Sequence, residues 1–303
     1  MRFPAFLVAL AFALTLSACD QSTSFPSNPD DLLADARIAR QAGDINRAVE
    51  LYEEGFANDP TSAVLRIELA AALFEQADLG IANLDEIART FSREVSAGGL
   101  TGASGAAFAP QKAGTCPYAD DPDAEAFDPR DFDGYDDYLV RAPVATRVLE
   151  LLDPVINDVV RPADFLCNGI VDGELNYDRA AAIGALRAVD PELTDDHIAS
   201  ALAMNAVSLV LKTYGFITED LNTQTDWYRL SDETLGICPR NMDETALRDF
   251  SEDAIADFGE ALVSIDLRTE VLDAGDVSTE LVGLVLDVYQ EFRDDLAPYC
   301  TGT

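Results

Sequence analysis

Residues 198–211 read Ile-Ala-Ser-Ala-Leu-Ala-Met-Asn-Ala-Val-Ser-Leu-Val-Leu, apolar nearly all round a helix with only Ser200, Asn205 and Ser208 polar. A helix that is hydrophobic on every side belongs in the middle of a fold. A run of about fourteen residues is too short to span a bilayer, which asks for about twenty. The stretch therefore predicts a central buried helix and an all-α fold. Just upstream, Thr194 is placed to cap this helix, and Asp195 and Asp196 suit the positive end of its dipole.

Outward from this helix the chain keeps helical spacing. Val144, Val148, Leu151, Leu152 and Val155 form one stripe, interrupted at Pro154. Tyr177 to Val189 reads as a further helix, ended by Asp190-Pro191. Leu247, Phe250, Ala254, Phe258, Ala261, Leu262 and Ile265 make a later stripe, and Leu281, Leu284, Val285, Val288, Tyr289 and Phe292 another. Between them, Ile217 to Pro239 is read as a loop carrying Trp227, the only tryptophan.

The N-terminal part has its own pattern. Asn28-Pro29 is a helix start, Gln41-Ala42-Gly43-Asp44 a break, Ile45 to Asn58 a second helix, and Asp59-Pro60 a second cap-plus-proline signal before a third helix to about Gln76. Ala36, Ala39, Gly43-Asp44, Ala48, Tyr52, Gly55 and Pro60 together resemble one tetratricopeptide repeat. A 34-residue period then puts Ala70 on Ala36, Leu73 on Ala39, Ala77-Asp78 on Gly43-Asp44 and Ala82 on Ala48. Glu86 and Glu94 break the pattern where Tyr52 and Pro60 stood. The resemblance covers residues 29–94 and implies protein or peptide binding. It places a partner groove along the first helix of each unit, with Leu32, Asp35, Ala36, Arg40, Arg66 and Leu69 as contact residues.

The start of the chain sets its compartment. Met1-Arg2 is followed by an apolar run from Phe6 to Leu16 and then small residues, the layout of a secretory signal. Leu16-Ser17-Ala18-Cys19 resembles the bacterial lipobox. That resemblance implies cleavage after residue 18, lipid on Cys19 and a protein held to the periplasmic side of the inner or outer membrane. Asp20 resembles a retention signal for the inner membrane, a rule that transfers poorly between phyla. Residues 19–28 read as a polar tether, and 95–115, rich in Gly and Ala, as a linker before a second helical region, 116–303.

With Cys19 lipidated, Cys116, Cys167, Cys238 and Cys300 form an even set without any Cys-x-x-Cys pair. Exported, they predict two disulfides. Of three connectivities, Cys116–Cys167 with Cys238–Cys300 is favoured by a small margin, since it ties each loop to the helical body. Nothing adjacent would lower a thiol pKa for redox work.

The formal charge is −36, with 56 acids against 20 bases and only Lys112 and Lys212 as lysines. Such a surface repels nucleic acid and anionic headgroups, so membrane attachment falls to the lipid. Acids crowd residues 120–137. Calcium is the natural cation for such oxygens, with Asp131, Asp133 and Asp136 as candidates, but neither this stretch nor 168–179 fits an EF-hand loop. A solvated acidic loop is the simpler expectation, with no metal or other cofactor. His197, the only histidine, reads as an exposed residue of a helix's first turn. No nucleophile elbow, phosphate-binding loop or dinucleotide fingerprint is present. The expectation is thus a lipid-anchored envelope interaction protein without catalysis. The alternatives are a calcium-binding or hydrolytic domain using residues 120–137, and a structural envelope component.

Overall fold

The central helix is where the sequence puts it. The computed structural model describes residues 28–79, 116, 118, 122–131, 135–160, 170–171, 174–229, 235–240 and 244–272. Seven helices dominate: α1 (Pro29–Gln41), α2 (Ile45–Asn58), α3 (Ala63–Gln76), α4 (Tyr135–Val160), α5 (Arg179–Val189), α6 (Asp195–Gly215) and α7 (Glu244–Val271). The chain is all-α in class, with two small antiparallel sheets added. Strand β1 (Glu125–Phe127) pairs with β4 (Thr225–Arg229), which pairs on its other edge with β5 (Leu235–Pro239). A ribbon joins β2 (Ile170–Val171) to β3 (Glu174–Leu175).

In α6, every residue from Ile198 to Leu211 except Ser200 is buried. The helix is longer than the apolar run suggested. By length and composition Asp195–Gln224 has a window able to cross a membrane, and 88% of that window is buried inside the fold. It packs against α3, α4 and α7. Asn205 is matched across the α7 seam, its Nδ2 donating to Ser264 Oγ at 3.0 Å and to Glu260 Oε1 at 3.3 Å, while the buried Ser208 Oγ has no partner among the described residues. Lys212 Nζ holds Asp257 at 2.8 Å. Thr194 caps α6 with an unusual partner: its hydroxyl accepts from the His197 backbone N–H, and His197 Nδ1 accepts from the Thr194 N–H. The Thr194–His197 and Asn205 pairings satisfy backbone donors and a buried amide that would otherwise lose their bonds to water.

Several boundaries move. Helix α4 runs through both Pro143 and Pro154, so the expected interruption at Pro154 does not occur. Both prolines lie on the exposed side, where water can serve the carbonyl one turn back that loses its N–H partner. Helix α5 starts at Arg179, capped by Asp178, whose side chain accepts from Ala181 N–H. The residues flanking this cap are used as well: the Tyr177 hydroxyl and the Arg179 fork both engage Asp266 on α7. Ser62, not Asp59, caps α3 by accepting from Leu65 N–H, while Asp59 turns the chain by accepting from Thr61.

The ends of α1 and α3 are alike, one residue off the 34-residue spacing. Ala36 and Ala70, 34 apart, are both fully buried. The helix ends are 35 apart: Gly43 at φ +79° closes α1 and Asp78 at φ +52° closes α3. In each the following N–H bonds back to a carbonyl five residues earlier, Asp44 to Ala39 and Leu79 to Phe74. Asp78, rather than Ala77, therefore takes the left-handed position of Gly43, because α3 is one residue longer than α1. The expected matches at Ala82, Glu86 and Glu94 lie outside the described residues. So do Cys19 with residues 1–27, the linker 95–115, the stripe Leu281–Phe292, and the side chains of Leu247, Phe250, Ala254 and Phe258.

Residues 217–229 and 235–239 of the supposed loop form regular structure. Helix α6 continues into a π-helical turn, Phe216–Leu221, then a short turn and the β4–β5 pair. The acidic stretch supplies β1 and the 3₁₀ turn Pro129–Asp131. β-branched and aromatic residues in Thr225–Arg229 (Thr-Asp-Trp-Tyr-Arg) explain the strand, with Thr225 and Trp227 alternately buried.

Candidate functional site

The groove residues expected along α1 and α3 are mostly structural. Leu32, Ala36 and Leu69 are buried in the core, Ala36 completely. Arg66 is committed to its own chain: its guanidinium donates to the Pro60 and Leu151 carbonyls and lies 5.0 Å from the Phe56 ring centre. Arg40 Nε donates to Glu75 at 2.7 Å. Burial opposes the charge on Arg40, but the bond and charge of Glu75, then the charge of Glu68, raise its pKa overall. Asp35 alone of the six is exposed. Small apolar residues at repeat positions are the ones that pack helices together, so they are poor choices for a contact surface.

Behind Arg40 lies a cluster the sequence reading missed. Glu68 on α3, its side chain 12% exposed, accepts from Arg37 Nε at 2.9 Å, Arg40 Nη1 at 3.4 Å and Tyr52 hydroxyl at 3.2 Å. His197 Nε2 lies 3.6 Å from the same carboxylate. Burial, then the Glu68 charge, pushes the Tyr52 hydroxyl up to about 12. One carboxylate thus joins α1, α2, α3 and the N-terminus of α6. The visible signal was a single acid in the otherwise apolar run Ile67–Phe74.

A second constellation surrounds a cleft of about 350 Å³ between the three-stranded sheet and the π-helical turn. Asp128, at the end of β1, accepts from Arg130 Nε at 3.0 Å and from Asn222 Nδ2 at 2.9 Å. The Arg130 bond holds the Asp128 pKa down at about 2, against the opposing effect of burial. On the other side, Arg240 Nε donates to Asp226 at 2.9 Å and its Nη2 to the Thr225 carbonyl at 3.1 Å. The π-helical turn presents Glu219, which accepts from the Tyr135 hydroxyl. That bond, then burial, lifts the Tyr135 pKa to about 12. Trp227 is 3% exposed and lines the cleft, and among the described residues nothing accepts from its indole N–H.

The sheet is cross-linked at this place. Cys116 is bonded to Cys238, with Cα atoms 5.4 Å apart. This replaces the favoured pairing of Cys116 with Cys167 and of Cys238 with Cys300. The β4–β5 pair carries Cys238 into the sheet, in register with Asp226. Cys167 and Cys300 lie outside the described residues. Of the calcium candidates, Asp131 and Asp136 are exposed on separate elements and Asp133 lies outside the described residues. Among the described residues no group of three His, Cys, Asp or Glu side chains is disposed to hold a metal ion.

Comparison with family models, curated proteins and solved structures returns no match to this chain.

Proposed function

We propose that this chain is a bacterial envelope lipoprotein, anchored through Cys19, that works as a protein–protein interaction module. The anchor reading rests on Leu16-Ser17-Ala18-Cys19 behind an apolar run. The interaction reading rests on one observation: α1, the first helix after the tether, turns the stripe Asp31, Ala34, Asp35, Ile38 and Gln41 to solvent. Ile38 is 65% exposed at its centre. A large aliphatic side chain on an acidic, rigidly braced helix suits a partner with an apolar pocket rimmed by basic residues. The contact surface is thus the outer face of α1, with Asp35 retained from the repeat-like reading and Leu32, Ala36 and Leu69 supporting it from within.

Membrane fractionation and in-cell crosslinking test this. Cys19→Ser releases the protein from membranes with its melting temperature unchanged. A photocrosslinker at position 38 captures a discrete envelope protein, and one at Glu54 does not. Membrane retention of Cys19→Ser overturns the anchor; no crosslink from position 38 in the anchored protein overturns the interface.

A further inference from the structure

We propose that the cleft between the β1–β4–β5 sheet and the π-helical turn binds a small zwitterion, an amino acid or a dipeptide. Its size falls at the lower end of small-molecule pockets. Its chemistry is unlike the rest of the surface. In a chain where acids outnumber bases 56 to 20, two guanidinium groups and three carboxylates line one hollow.

The two arginines are half-spent. A guanidinium carries five N–H donors. Arg130 uses Nε and Nη2 on Asp128, and Arg240 uses Nε and Nη2 on Asp226 and the Thr225 carbonyl. Among the described residues neither Nη1 has a partner. These edges can take a carboxylate that the −36 chain would repel elsewhere. Glu219 meanwhile accepts one bond, from Tyr135, and a carboxylate has room for more. It can take an ammonium group.

The ligand must carry both signs. A simple anion meets three carboxylates, and a simple cation gains nothing here that the whole acidic surface does not offer. A sugar would ask for an open aromatic face. Phe127 has the Arg229 guanidinium 4.6 Å from its ring centre, Tyr228 faces Tyr118 at 6.4 Å, and Trp227 is buried. The Trp227 indole N–H is a buried donor without a partner among the described residues, a state that native folds rarely leave unused. A π-helical turn at the rim is a further departure from regular structure of the kind often found at functional sites.

Trp227 is the only tryptophan, so its emission reports the cleft directly. Detergent-solubilised full chain is titrated with glycine, glutamine and alanyl-alanine, and with acetate and ethylamine as single-sign controls. Calorimetry accompanies the fluorescence. At least one zwitterion gives saturable binding with a Trp227 emission change, and both controls bind at least about tenfold more weakly. Arg240→Lys, which keeps the charge but loses the planar fork, and Glu219→Gln each weaken binding by about tenfold or more, with helix content unchanged by circular dichroism. No saturable binding of any zwitterion up to about 10 mM overturns the proposal, as does acetate binding equally well or both variants binding like wild type. The anchor and the α1 surface are untouched by either result.

Discussion

Tyr138 lies across the Cα of Gly215. A β-carbon at 215 would overlap the tyrosine's ring edge and hydroxyl. The same ring stands 5.2 Å from Tyr214 and 5.9 Å from Tyr135, so a shift of it disturbs two further rings. This glycine is required for close approach, since its backbone is ordinarily helical. It sits where α6 gives way to the π-helical turn, and so sets how the turn docks on α4. Gly215→Ala is expected to destabilise the fold by about 1–3 kcal/mol, as overpacking does. Chemical denaturation measures this. In a double-mutant cycle, Tyr138→Ala recovers part of the loss; strict additivity would contradict the contact.

Alkali probes the Glu68 cluster. The Tyr52 hydroxyl titrates at about 12 in the fold against 10.0 for the free side chain, because burial and Glu68 disfavour its anion. Between those values the unfolded chain has released a proton that the folded chain keeps. Stability from this group is whole below pH 10 and declines as pH rises toward 12. Tyr52→Phe costs about 1 kcal/mol at neutral pH through the lost bond to Glu68. It also flattens the fall in melting temperature above pH 10; an unchanged alkaline slope counts against the assignment.

Acid probes the other end of the molecule. Asp128 is depressed to about 2 from 3.8, chiefly by its bond with Arg130. A depressed carboxylate stabilises the fold above pH 3.8 and loses that contribution as pH falls toward 2. The group is partly exposed, so the effect is small. Asp128→Asn is expected to reduce the acid-limb slope of a thermal melt between pH 4 and pH 2. Trp227 emission responds in step, since Asn222 loses its carboxylate partner too.

Peptide mapping without reduction is expected to recover Cys116 joined to Cys238. The loop they close spans 122 residues. Replacing both by serine costs about 2–4 kcal/mol on the usual scale for such crosslinks. A Cys116–Cys167 peptide would rule out the Cys116–Cys238 bond.

Elements governed by local signals were readable from the residues alone. Thr194 caps α6, Gly43 turns α1 into α2, and the apolar run from Ile198 is buried. What escaped was decided by contacts distant in sequence. Trp227 looked like loop because Thr225–Arg229 is too short to show alternation until β1 and β5 pair with it. Pro154 looked like a break because nothing local says its helix face is the wet one. Glu68 was unremarkable until three donors and His197, from three other elements, closed around it. The cleft is the extreme case: Asp128 and Asn222 are 94 positions apart, and no spacing rule joins them.

The burial of α6 has a consequence for how the chain is made. Two of its sides are covered by α3 and α4, which precede it, so they can be sheltered as soon as it emerges. The side bearing Ala206, Leu209 and Val210 waits for Ala261 and Ile265, some fifty positions later. Until α7 arrives, a helix with a window apolar enough, by length and composition, to cross a bilayer stands half bare. Any escort that receives the nascent protein has its substrate in that interval, and truncation before α7 leaves a chain that cannot finish covering α6.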